Sequence, residues 1–463
     1  MYARIKMPYA LRGYKGIPYT LVNMDTGDTD FLNAKGFRAL SFCDGQIDLD
    51  TVFLEQDQKA YLEDAKEGGV IEFTERPSGP LNDIQNYRKA ENKYLKSVHW
   101  SVTGRCNLKC RHCYMSAPDY KYHDLTKEEC FSIIRQFKEA GVLTVTITGG
   151  EPFIRKDIFE IIDRFYQEGI GVTQIYTNGL LLNEKILDWF LERGKKPQFV
   201  LSYDCVGCHD WMRGVKNVEE PTLEAIRFLG KKGFPVMIET ALCGKNISRL
   251  LDTYEILKDL GVEYWKTSLV FEAGKWNETG EKRIEDEVLY EEYLRLIARY
   301  AQDGAPFFMQ LDGFFCGKKG EPSVYDFPYE RKCDEKSVGR TGSCLTCRIH
   351  PYLLPDGTFL PCASMTDSAV ESDMPNLTNS TISEIYRDDE NSFFRLSNIR
   401  ISEVLESNQE CKNCEFRYEC GGGCRAMSMF AGNGVMGYSP TLCKFFKNNY
   451  RGKIKRMIQE NRN

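Results

Sequence analysis

The chain has 463 residues, of which 42% are hydrophobic and 28% are charged, and its formal net charge is −6. This is the composition of an ordinary globular protein of roughly two or three domains, and the acidic balance argues against a general nucleic-acid binder. No stretch approaches the ~20 apolar residues that a membrane span needs, and the beginning of the chain lacks the apolar core of a signal peptide. We therefore expect a cytoplasmic protein with neither membrane nor nucleic-acid partners.

Cysteine usage is the unusual feature of the composition. The chain has 18 Cys but only five His. A large cytosolic chain rich in thiols more often binds metal or does redox chemistry than forms disulfides. Many thiols with few imidazoles favour iron–sulfur clusters or zinc over other metals. Most of these cysteines are concentrated at 106–113 and from residue 344 onward.

Residues 1–85 form the first predicted unit. The segment YTLVNMDTGDTDFLN predicts two short strands joined by a turn at Thr26-Gly27-Asp28. About three helices follow, and a last strand is predicted in GGVIEFTE. The polar stretch 76–92, which begins with Pro and Gly, indicates a linker, which we place at 86–96.

Residues 97–309 alternate strand and helix patterns. Strands are predicted at 98–103, 142–148, 172–177, 198–203, 235–242 and 264–270, and most of the helical segments between them end in Gly. Six such repeats predict an α/β fold, a partial (β/α)6 barrel, whose ligand site lies at the carboxyl ends of the strands. Residues 310–463 lose the alternation and are loop-rich and Cys-rich, so bound metal is expected to compensate for their thin apolar content.

The loop after the first of these strands reads CNLKCRHCY, which places Cys106, Cys110 and Cys113 at Cys-x3-Cys-x2-Cys spacing. A 4Fe–4S cluster normally takes four thiolates, so three would leave one iron open to a chelating small molecule. An open coordination position is typical of a catalytic metal site. The alternative is a structural zinc site, with His112 or a remote residue as the fourth ligand.

This loop resembles that of the radical S-adenosylmethionine (SAM) superfamily, and motifs after the next three strands fit the same resemblance. Those motifs are GGEP at 149–152, TNG at 177–179 and LSYD at 201–204. The superfamily cleaves SAM to a 5′-deoxyadenosyl radical, which abstracts a hydrogen atom from an unactivated C–H bond. The resemblance makes Cys106, Cys110 and Cys113 the ligands of the cluster that cleaves SAM.

The same resemblance implies which residues contact SAM. The GGEP backbone would hold the amino group, Arg213 would pair with the carboxylate, and Ser202 and Asp204 would lie near the ribose. The residue before the third Cys is usually aromatic in the superfamily; here it is His112, which could still stack on adenine. The predicted contacts are His112, Gly149, Gly150, Glu151, Pro152, Thr177, Asn178, Ser202, Asp204 and Arg213.

The C-terminal cysteines resemble the twin-cluster extension called SPASM, which implies two auxiliary 4Fe–4S clusters and three clusters in all. The pattern is Cys-x9-Gly-x4-Cys over 347–362, then Cys-x2-Cys-x5-Cys-x3-Cys over 411–424, and finally Cys443. The first auxiliary cluster would use Cys344, Cys347, Cys362 and Cys424, with Cys333 as the rival of Cys344. The second would use Cys411, Cys414, Cys420 and Cys443. Two zinc knuckles are the alternative.

Residues 15–75 resemble the PqqD-like, winged-helix peptide-recognition element of ribosomal peptide maturases. The resemblance depends on a hairpin, the segments LNAKGFRAL and DGQ, and the final GGVIEF strand. It implies that the leader of a precursor peptide binds by adding a strand to a sheet edge. The alternative is a domain that only caps the barrel.

Together the resemblances favour a radical SAM/SPASM maturase that forms an intramolecular crosslink in a ribosomally made peptide, with flavodoxin or ferredoxin as electron donor. A Cys thioether, as in sactipeptide and ranthipeptide synthases, is the favoured product. Alternatives are a C–C or C–O crosslink, or epimerisation with Cys205, Cys208, Cys316 or Cys333 as hydrogen donor. Anaerobic sulfatase maturation is disfavoured because Ala363 stands where that family has Asp. A non-catalytic iron–sulfur protein is the remaining alternative.

Overall fold

The chain forms an N-terminal unit of two small sheets, a long and mainly parallel sheet with helices, and a C-terminal region of short helices. The computed structural model describes residues 1–90, 95–344 and 346–461. No helix within these described ranges is both long and apolar enough to cross a membrane.

The N-terminal unit contains seven strands among the described residues. They are β1 Tyr2–Ile5, β2 Tyr9–Tyr14, β3 Thr20–Asn23, β4 Thr29–Phe31, β5 Asp44–Asp48, β6 Ile71–Thr74 and β7 Arg88–Ala90. Their orders are β5-β1-β6 in one sheet and β4-β3-β2-β7 in the other. Helices α1 Ala34–Ser41 and α2 Gln56–Glu67 lie between β4 and β6 in sequence. A small apolar core beneath them includes Ile5, Leu40 and Leu62.

The predicted hairpin is present as β3 and β4, with Gly27 in the turn at a φ of +79°. The predicted linker needs correction, because its residues 88–90 form β7, which pairs in parallel with β2. Arg12 on β2 fixes this part of the chain by donating hydrogen bonds to the carbonyls of Ile84 and Asn86. Residues 91–94 of the predicted linker lie outside the described residues. Part of the linker therefore belongs to the N-terminal fold.

The central sheet carries the six predicted strands and one more parallel strand. They are β8 Ser97–Ser101, β9 Thr144–Thr148, β10 Gly171–Thr177, β11 Gln198–Ser202, β12 Val236–Leu242, β13 Tyr264–Leu269 and β14 Phe308–Leu311. The helices that follow them are α3 Lys127–Glu139, α4 Ile158–Gln167, α5 Glu184–Glu192, α6 His209–Arg213, α7 Glu219–Lys231, α8 Leu250–Asp259 and α9 Asp286–Gln302. This alternation is consistent with a partial barrel.

Four further strands extend the sheet at both ends, and sequence analysis missed them. They are β15 Phe315–Lys318, β16 Glu321–Asp326, β17 Tyr352–Leu353 and β18 Phe359–Leu360. The full order is β16-β15-β14-β13-β12-β11-β10-β9-β8-β17-β18. Because β17 pairs directly with β8, the C-terminal region is built onto the strand that leads into the three-cysteine loop.

The strand that positions this loop is held by aromatic packing. Trp100 on β8 is fully buried and meets Phe137 of α3 and Phe165 of α4 edge-on, with ring centroids 5.6 and 5.7 Å apart. Such contacts add to the free energy gained by burying the rings themselves. Val145 and Ile147 of β9 lie in the same core, so by the two-residue period of a strand Thr144, Thr146 and Thr148 face the opposite side.

The C-terminal region consists mostly of short helices. They are α10 Thr346–Ile349, α11 Ile382–Arg387, α12 Ser392–Ser397, α13 Ile401–Ser407, α14 Gln409–Lys412, α15 Arg417–Cys420, α16 Arg425–Phe430, α17 Pro440–Lys447 and α18 Tyr450–Glu460. Tyr450 of α18 stacks on Tyr290 of α9 with centroids 4.3 Å apart, which attaches the end of the described chain to the central sheet.

Candidate functional site

Cys106, Cys110 and Cys113 lie in the loop between β8 and α3, at the carboxyl end of β8, as predicted. All three are free thiols that are only partly exposed. The hydroxyl of Thr103 and the N–H of Gly104 hold the start of the loop by donating to the carboxylate of Asp124, at 2.9 and 2.7 Å. Burial raises the pKa of Cys106 to about 12 and that of Cys113 to about 11. Metal binding must therefore displace thiol protons, since thiolates are the ligating form.

The GGEP motif packs directly against the three-cysteine loop. The N–H of Gly150 donates to the Thr103 carbonyl at 2.8 Å, and the N–H of Glu151 donates to the Arg105 carbonyl at 2.9 Å. A Cβ at residue 150 would lie 2.1 Å from the Arg105 oxygen and 3.0 Å from Cys106 Cβ. Gly149 has a φ of +155° and makes a similarly close approach to Thr103. The glycines thus allow two backbone segments to meet, and Pro152 begins the short helical turn Pro152–Ile154 that follows.

Glu151 ties the predicted motifs together. Its carboxylate is fully buried and accepts hydrogen bonds from the Thr177 hydroxyl and the Asn178 N–H, all at 2.9 Å. The Asn178 side-chain amide then donates to Asn107 Oδ1 at 2.7 Å, inside the three-cysteine loop. Burial raises the pKa of Glu151 to about 7. These residues therefore connect the ends of β8, β9 and β10.

Asp204 and Arg213 form a buried ion pair, with 2.6 Å between Asp204 Oδ2 and Arg213 Nε. Sequence analysis had assigned them separately to the ribose and the carboxylate of SAM. The other Asp204 oxygen accepts from the Ala241 N–H at 3.0 Å, and Arg213 Nη1 lies 3.7 Å from Cys110 Sγ. Burial would by itself raise the pKa of Asp204, but the Arg213 charge together with smaller contributions, among them the Ala241 hydrogen bond, lowers it. Ser202, at the end of β11, is partly exposed.

The residues present fit a cluster with SAM. Three buried polar atoms of the predicted contacts have no partner of hydrogen-bonding geometry in the described residues: His112 Nδ1, Asp204 Oδ2 and Arg213 Nε. Burial lowers the pKa of His112 to about 4, so its ring is neutral at pH 7 and can stack on an aromatic base. No three His, Cys, Asp or Glu side chains in the described ranges are arranged around a single metal ion. A four-iron cluster instead distributes its thiolates over different irons.

A second group of cysteines gathers in the C-terminal region. The Cys347 thiol is hydrogen-bonded to the sulfurs of Cys344 and Cys362, which lowers the pKa of both and raises its own. Burial raises the pKa of Cys424, and the charges of Cys362 and Cys344 raise it further. The rival Cys333 has local contacts instead, at 3.6 Å to the Asp334 carbonyl and 3.8 Å to the Ser337 hydroxyl.

The other four predicted ligands line one pocket at the far end of the C-terminal region. Its walls also include the rings of Phe416 and Phe446 and the backbone of Gly422. The cysteines are Cys411, Cys414, Cys420 and Cys443. The structure therefore brings the predicted cysteines into three separate groups, with Cys344 beside Cys347.

Residues 100–262 match the radical SAM superfamily. The α/β fold with its parallel sheet is the radical SAM fold. Members of the superfamily are enzymes that bind SAM and a 4Fe–4S cluster.

Characterised proteins that are similar in sequence to this chain differ in their activities. An AdoMet-dependent heme synthase from Oleidesulfovibrio alaskensis is 26% identical over 75% of this chain and 87% of its own length. The subtilosin biosynthesis protein AlbA from Bacillus subtilis is 29% identical over 40% of this chain and 42% of its own.

Solved structures share the fold over a longer span. Streptococcus suis SuiB bound to its precursor peptide SuiA superposes with a TM-score of 0.65 and 15% identity, covering 96% of this chain and all of SuiB. The enzyme anSMEcpe with AdoMet and the Cp18Cys peptide has a TM-score of 0.57 and 19% identity, covering 79% of this chain and 98% of its own. At these identities the likeness is one of fold.

Sequence analysis missed the polar residues on the inner face of the radical SAM sheet. Glu239 on β12 and Lys266 on β13 form an ion pair at 2.8 Å, and the Ser268 hydroxyl donates to the same carboxylate. The hydroxyls of Tyr114 and Tyr352 lie 3.1 Å apart. Burial raises the pKa of Tyr352 to about 12, and the charges of Cys113 and Cys362 act in the same direction. The position of Tyr114 directly after Cys113 could have marked it as a site residue. Its partner Tyr352 could not be found in this way, because it lies 238 residues further along the chain.

The cysteines considered as hydrogen donors lie in different surroundings. Cys205 is buried in the main core and Cys208 is partly exposed, 3.8 Å from the Lys245 carbonyl. Cys316 is on β15, opposite Gln310. Cys333, partly exposed, has the local contacts to Asp334 and Ser337 given above.

Proposed function

We propose that this protein is a radical SAM maturase that modifies a ribosomally synthesised precursor peptide. The observation that carries the proposal is the likeness to SuiB, which spans 96% of the chain and so includes the N-terminal unit and the C-terminal region as well as the sheet. SuiB binds a precursor peptide, and anSMEcpe and AlbA are also associated with peptides or a bacteriocin. The whole-chain likeness supports a peptide substrate here.

In this proposal Cys106, Cys110 and Cys113 hold the SAM-binding cluster. When bound, the cluster and SAM supply the radical that removes a hydrogen atom from the substrate. The chain's own residues hold the site in shape: Glu151 fixes the three loops to one another, and the buried charge of Arg213 lies beside Cys110. Ser202 and His112, whose Nδ1 has no hydrogen-bond partner in the described residues, offer polar contacts to SAM.

The C-terminal cysteines hold two auxiliary 4Fe–4S clusters in this proposal. The contact between Cys344 and Cys347 supports Cys344 over Cys333 as the fourth ligand of the first one. The pocket that the other four line supports the second.

The N-terminal unit is proposed to bind the leader of the peptide. β4 is an edge strand of its sheet, and Phe31 on that strand is 64% exposed. An edge strand can accept an extended peptide alongside it, and the exposed part of an aromatic ring offers a side-chain contact. This arrangement supports leader binding along residues 29–31.

The proposed product is a thioether between a Cys sulfur and a carbon atom of the same peptide. The 5′-deoxyadenosyl radical would take a hydrogen atom from the carbon, the sulfur would lose a proton to solvent, and the one remaining electron would pass to an auxiliary cluster, so the product is two hydrogen atoms lighter. A C–C or C–O crosslink has the same mass but leaves any Cys thiol free, whereas epimerisation leaves the mass unchanged.

The test uses reconstituted enzyme with SAM, dithionite and a Cys-containing candidate precursor peptide. We expect 5′-deoxyadenosine to form together with a lighter peptide whose Cys no longer reacts with iodoacetamide. Mass spectrometry separates the alternatives, and the Cys106→Ala/Cys110→Ala/Cys113→Ala triple variant is the control without SAM cleavage. An unchanged peptide alongside continued SAM cleavage would contradict the proposal.

A second candidate function, modification of a tetrapyrrole, is favoured by the sequence similarity to the heme synthase over 75% of this chain. The same assay with an iron-coproporphyrin in place of the peptide tests it. Substrate-dependent 5′-deoxyadenosine formation with the tetrapyrrole alone would favour this candidate over the first.

A further inference from the structure

A cavity of about 490 Å³ opens at the amino ends of the parallel strands, opposite the end that carries the three-cysteine loop. Its walls include the first residues of β8, β9 and β11, namely Ser97, Thr144 and Gln198. The volume falls within the roughly 300–1,000 Å³ that is common for ligand sites. None of the residues named above for SAM or for the clusters lines it.

The cavity carries two lysines without a partner. Within the described part of the chain, neither Lys96 nor Lys196 forms an ion pair or a side-chain hydrogen bond. Burial lowers the pKa of Lys96, although the charge of Asp28 acts in the opposite direction. Asp25 also lines the cavity, but its carboxylate pairs with Lys195 at 3.0 Å. The charge left over is positive, so the cavity favours an anionic group.

Uncharged hydrogen-bonding groups contribute to the wall beside the apolar residues Pro235 and Ile349. The Gln174 amide donates to Gln198 at 2.7 Å, and Thr146 contacts Gln174 at 3.4 Å. Thr144, Thr146 and Thr148 share one face of β9, and Thr148 directly precedes the GGEP motif. A polar surface therefore runs from the cavity along the inner face of the sheet toward the candidate site. Hydroxyls and amides of this kind suit the backbone of an extended peptide.

The N-terminal unit forms one wall of the same cavity. Residues 25–27, in the turn between β3 and β4, line it. β4 begins two residues later at Thr29 and is the edge strand proposed above for the leader. A peptide paired along β4 would have one end beside the cavity.

We propose that this cavity binds an acidic side chain of the substrate peptide, with Lys96 and Lys196 as the partners of its carboxylate. The inference rests on the proposed function in that it takes the substrate to be a peptide. It assigns the amino-end mouth of the sheet as a contact site for that peptide, separate from the site of SAM cleavage.

The test measures binding of two fluorescein-labelled pentapeptides, Gly-Glu-Gly-Glu-Gly and Gly-Gln-Gly-Gln-Gly, to the full-chain, reconstituted enzyme by fluorescence anisotropy. We expect the acidic peptide to bind at least about tenfold more tightly, because hydrogen bonds between charged groups are stronger than neutral ones. Lys96→Met and Lys196→Met should each weaken its binding by about tenfold. Lys231→Met, an exposed lysine that does not line the cavity, should leave it unchanged.

Equal binding of the two peptides, or an equal loss in the Lys231→Met variant, would overturn the assignment. Inorganic phosphate that competes as well as the acidic peptide would show a free-anion site and would also overturn it. Lys196 is exposed, so its variant keeps the test valid if Lys96→Met fails to fold. Modification of the precursor peptide is followed in parallel, because equal binding of the two pentapeptides by an enzyme that still modifies its precursor would reject this inference and leave the proposed function standing.

Discussion

At the residue scale, Gly150 decides whether the three-cysteine loop and the GGEP motif can lie together. A Cβ there would lie 2.1 Å from the Arg105 oxygen, so Gly150→Ala must push the loop away. Because displacements of about 1 Å can cost roughly a hundredfold in rate, we expect at least a tenfold slower formation of 5′-deoxyadenosine. Gly244→Ala is the matched control, since a Cβ there would meet nothing within 4 Å. Equal rates for both variants would contradict the packing role.

The buried Glu151 is expected to make the stability of the protein depend on pH. Its pKa is raised from 4.5 to about 7 in the folded protein, so folding favours the protonated form. Its contribution to stability is complete below pH 4.5 and is lost as the pH rises through 7. The loss amounts to at most about 3 kcal/mol, and the side-chain amide of a Glu151→Gln variant would not titrate.

Calorimetry of wild type and Glu151→Gln between about pH 5 and about pH 8 measures this effect. We expect the Tm of the variant, relative to that of the wild type, to increase as the pH rises. Glu160→Gln, at an exposed residue, is the control that should show no such trend. A Tm difference that stays constant with pH would show that burial does not govern Glu151.

At the scale of elements, β4 is where the leader is proposed to pair. Phe31 is 64% exposed on this edge strand, and burying a Phe side chain is worth about 1.5–3 kcal/mol. Phe31→Lys should therefore weaken leader binding at least about tenfold while leaving SAM cleavage without peptide unchanged. Phe53→Lys is the control, because Phe53 is 76% exposed but lies outside any strand. Anisotropy of a labelled leader distinguishes the two; equal losses would reject β4 as the edge.

The central strands could be predicted from the sequence because each strand–helix repeat is local. The predicted β9, β10 and β12 differ from the structure by at most two residues at either end. β7 and β17 could not be found in this way. β7 has only three residues and pairs with a strand more than 70 residues earlier, and β17 has two residues on β8. Short strands whose partners are distant carry no periodic signal of their own.

The same distinction between local and distant residues separates the parts of the candidate site that could be predicted from those that could not. The cysteine groups could be predicted because their ligands are close in sequence and chemically distinctive. The Asp204–Arg213 pair, the Glu239–Lys266 pair and the cavity at the amino ends could not, because each depends on which side chains the fold brings together. The choice between Cys344 and Cys333 likewise needed the position of Cys347 in space.

At the scale of the whole molecule, three groups of cysteines predict the iron content. Reconstituted protein should hold about twelve irons, four for each cluster. Cys344→Ala should lower the content by up to about four irons, whereas Cys333→Ala should retain all of them. Elemental analysis for iron and zinc measures both. A wild-type content near four irons, with zinc making up the remainder, would contradict the auxiliary clusters.

The central claim is that the radical removes a hydrogen atom from a peptide. Its most direct test is to incubate the reconstituted enzyme with SAM, dithionite and a uniformly deuterated precursor peptide, and to analyse the 5′-deoxyadenosine by mass spectrometry. The account predicts deuterium in the 5′-deoxyadenosine and none when the Cys106→Ala/Cys110→Ala/Cys113→Ala variant is used. Unlabelled 5′-deoxyadenosine with the deuterated peptide, together with label from a deuterated tetrapyrrole, would contradict it.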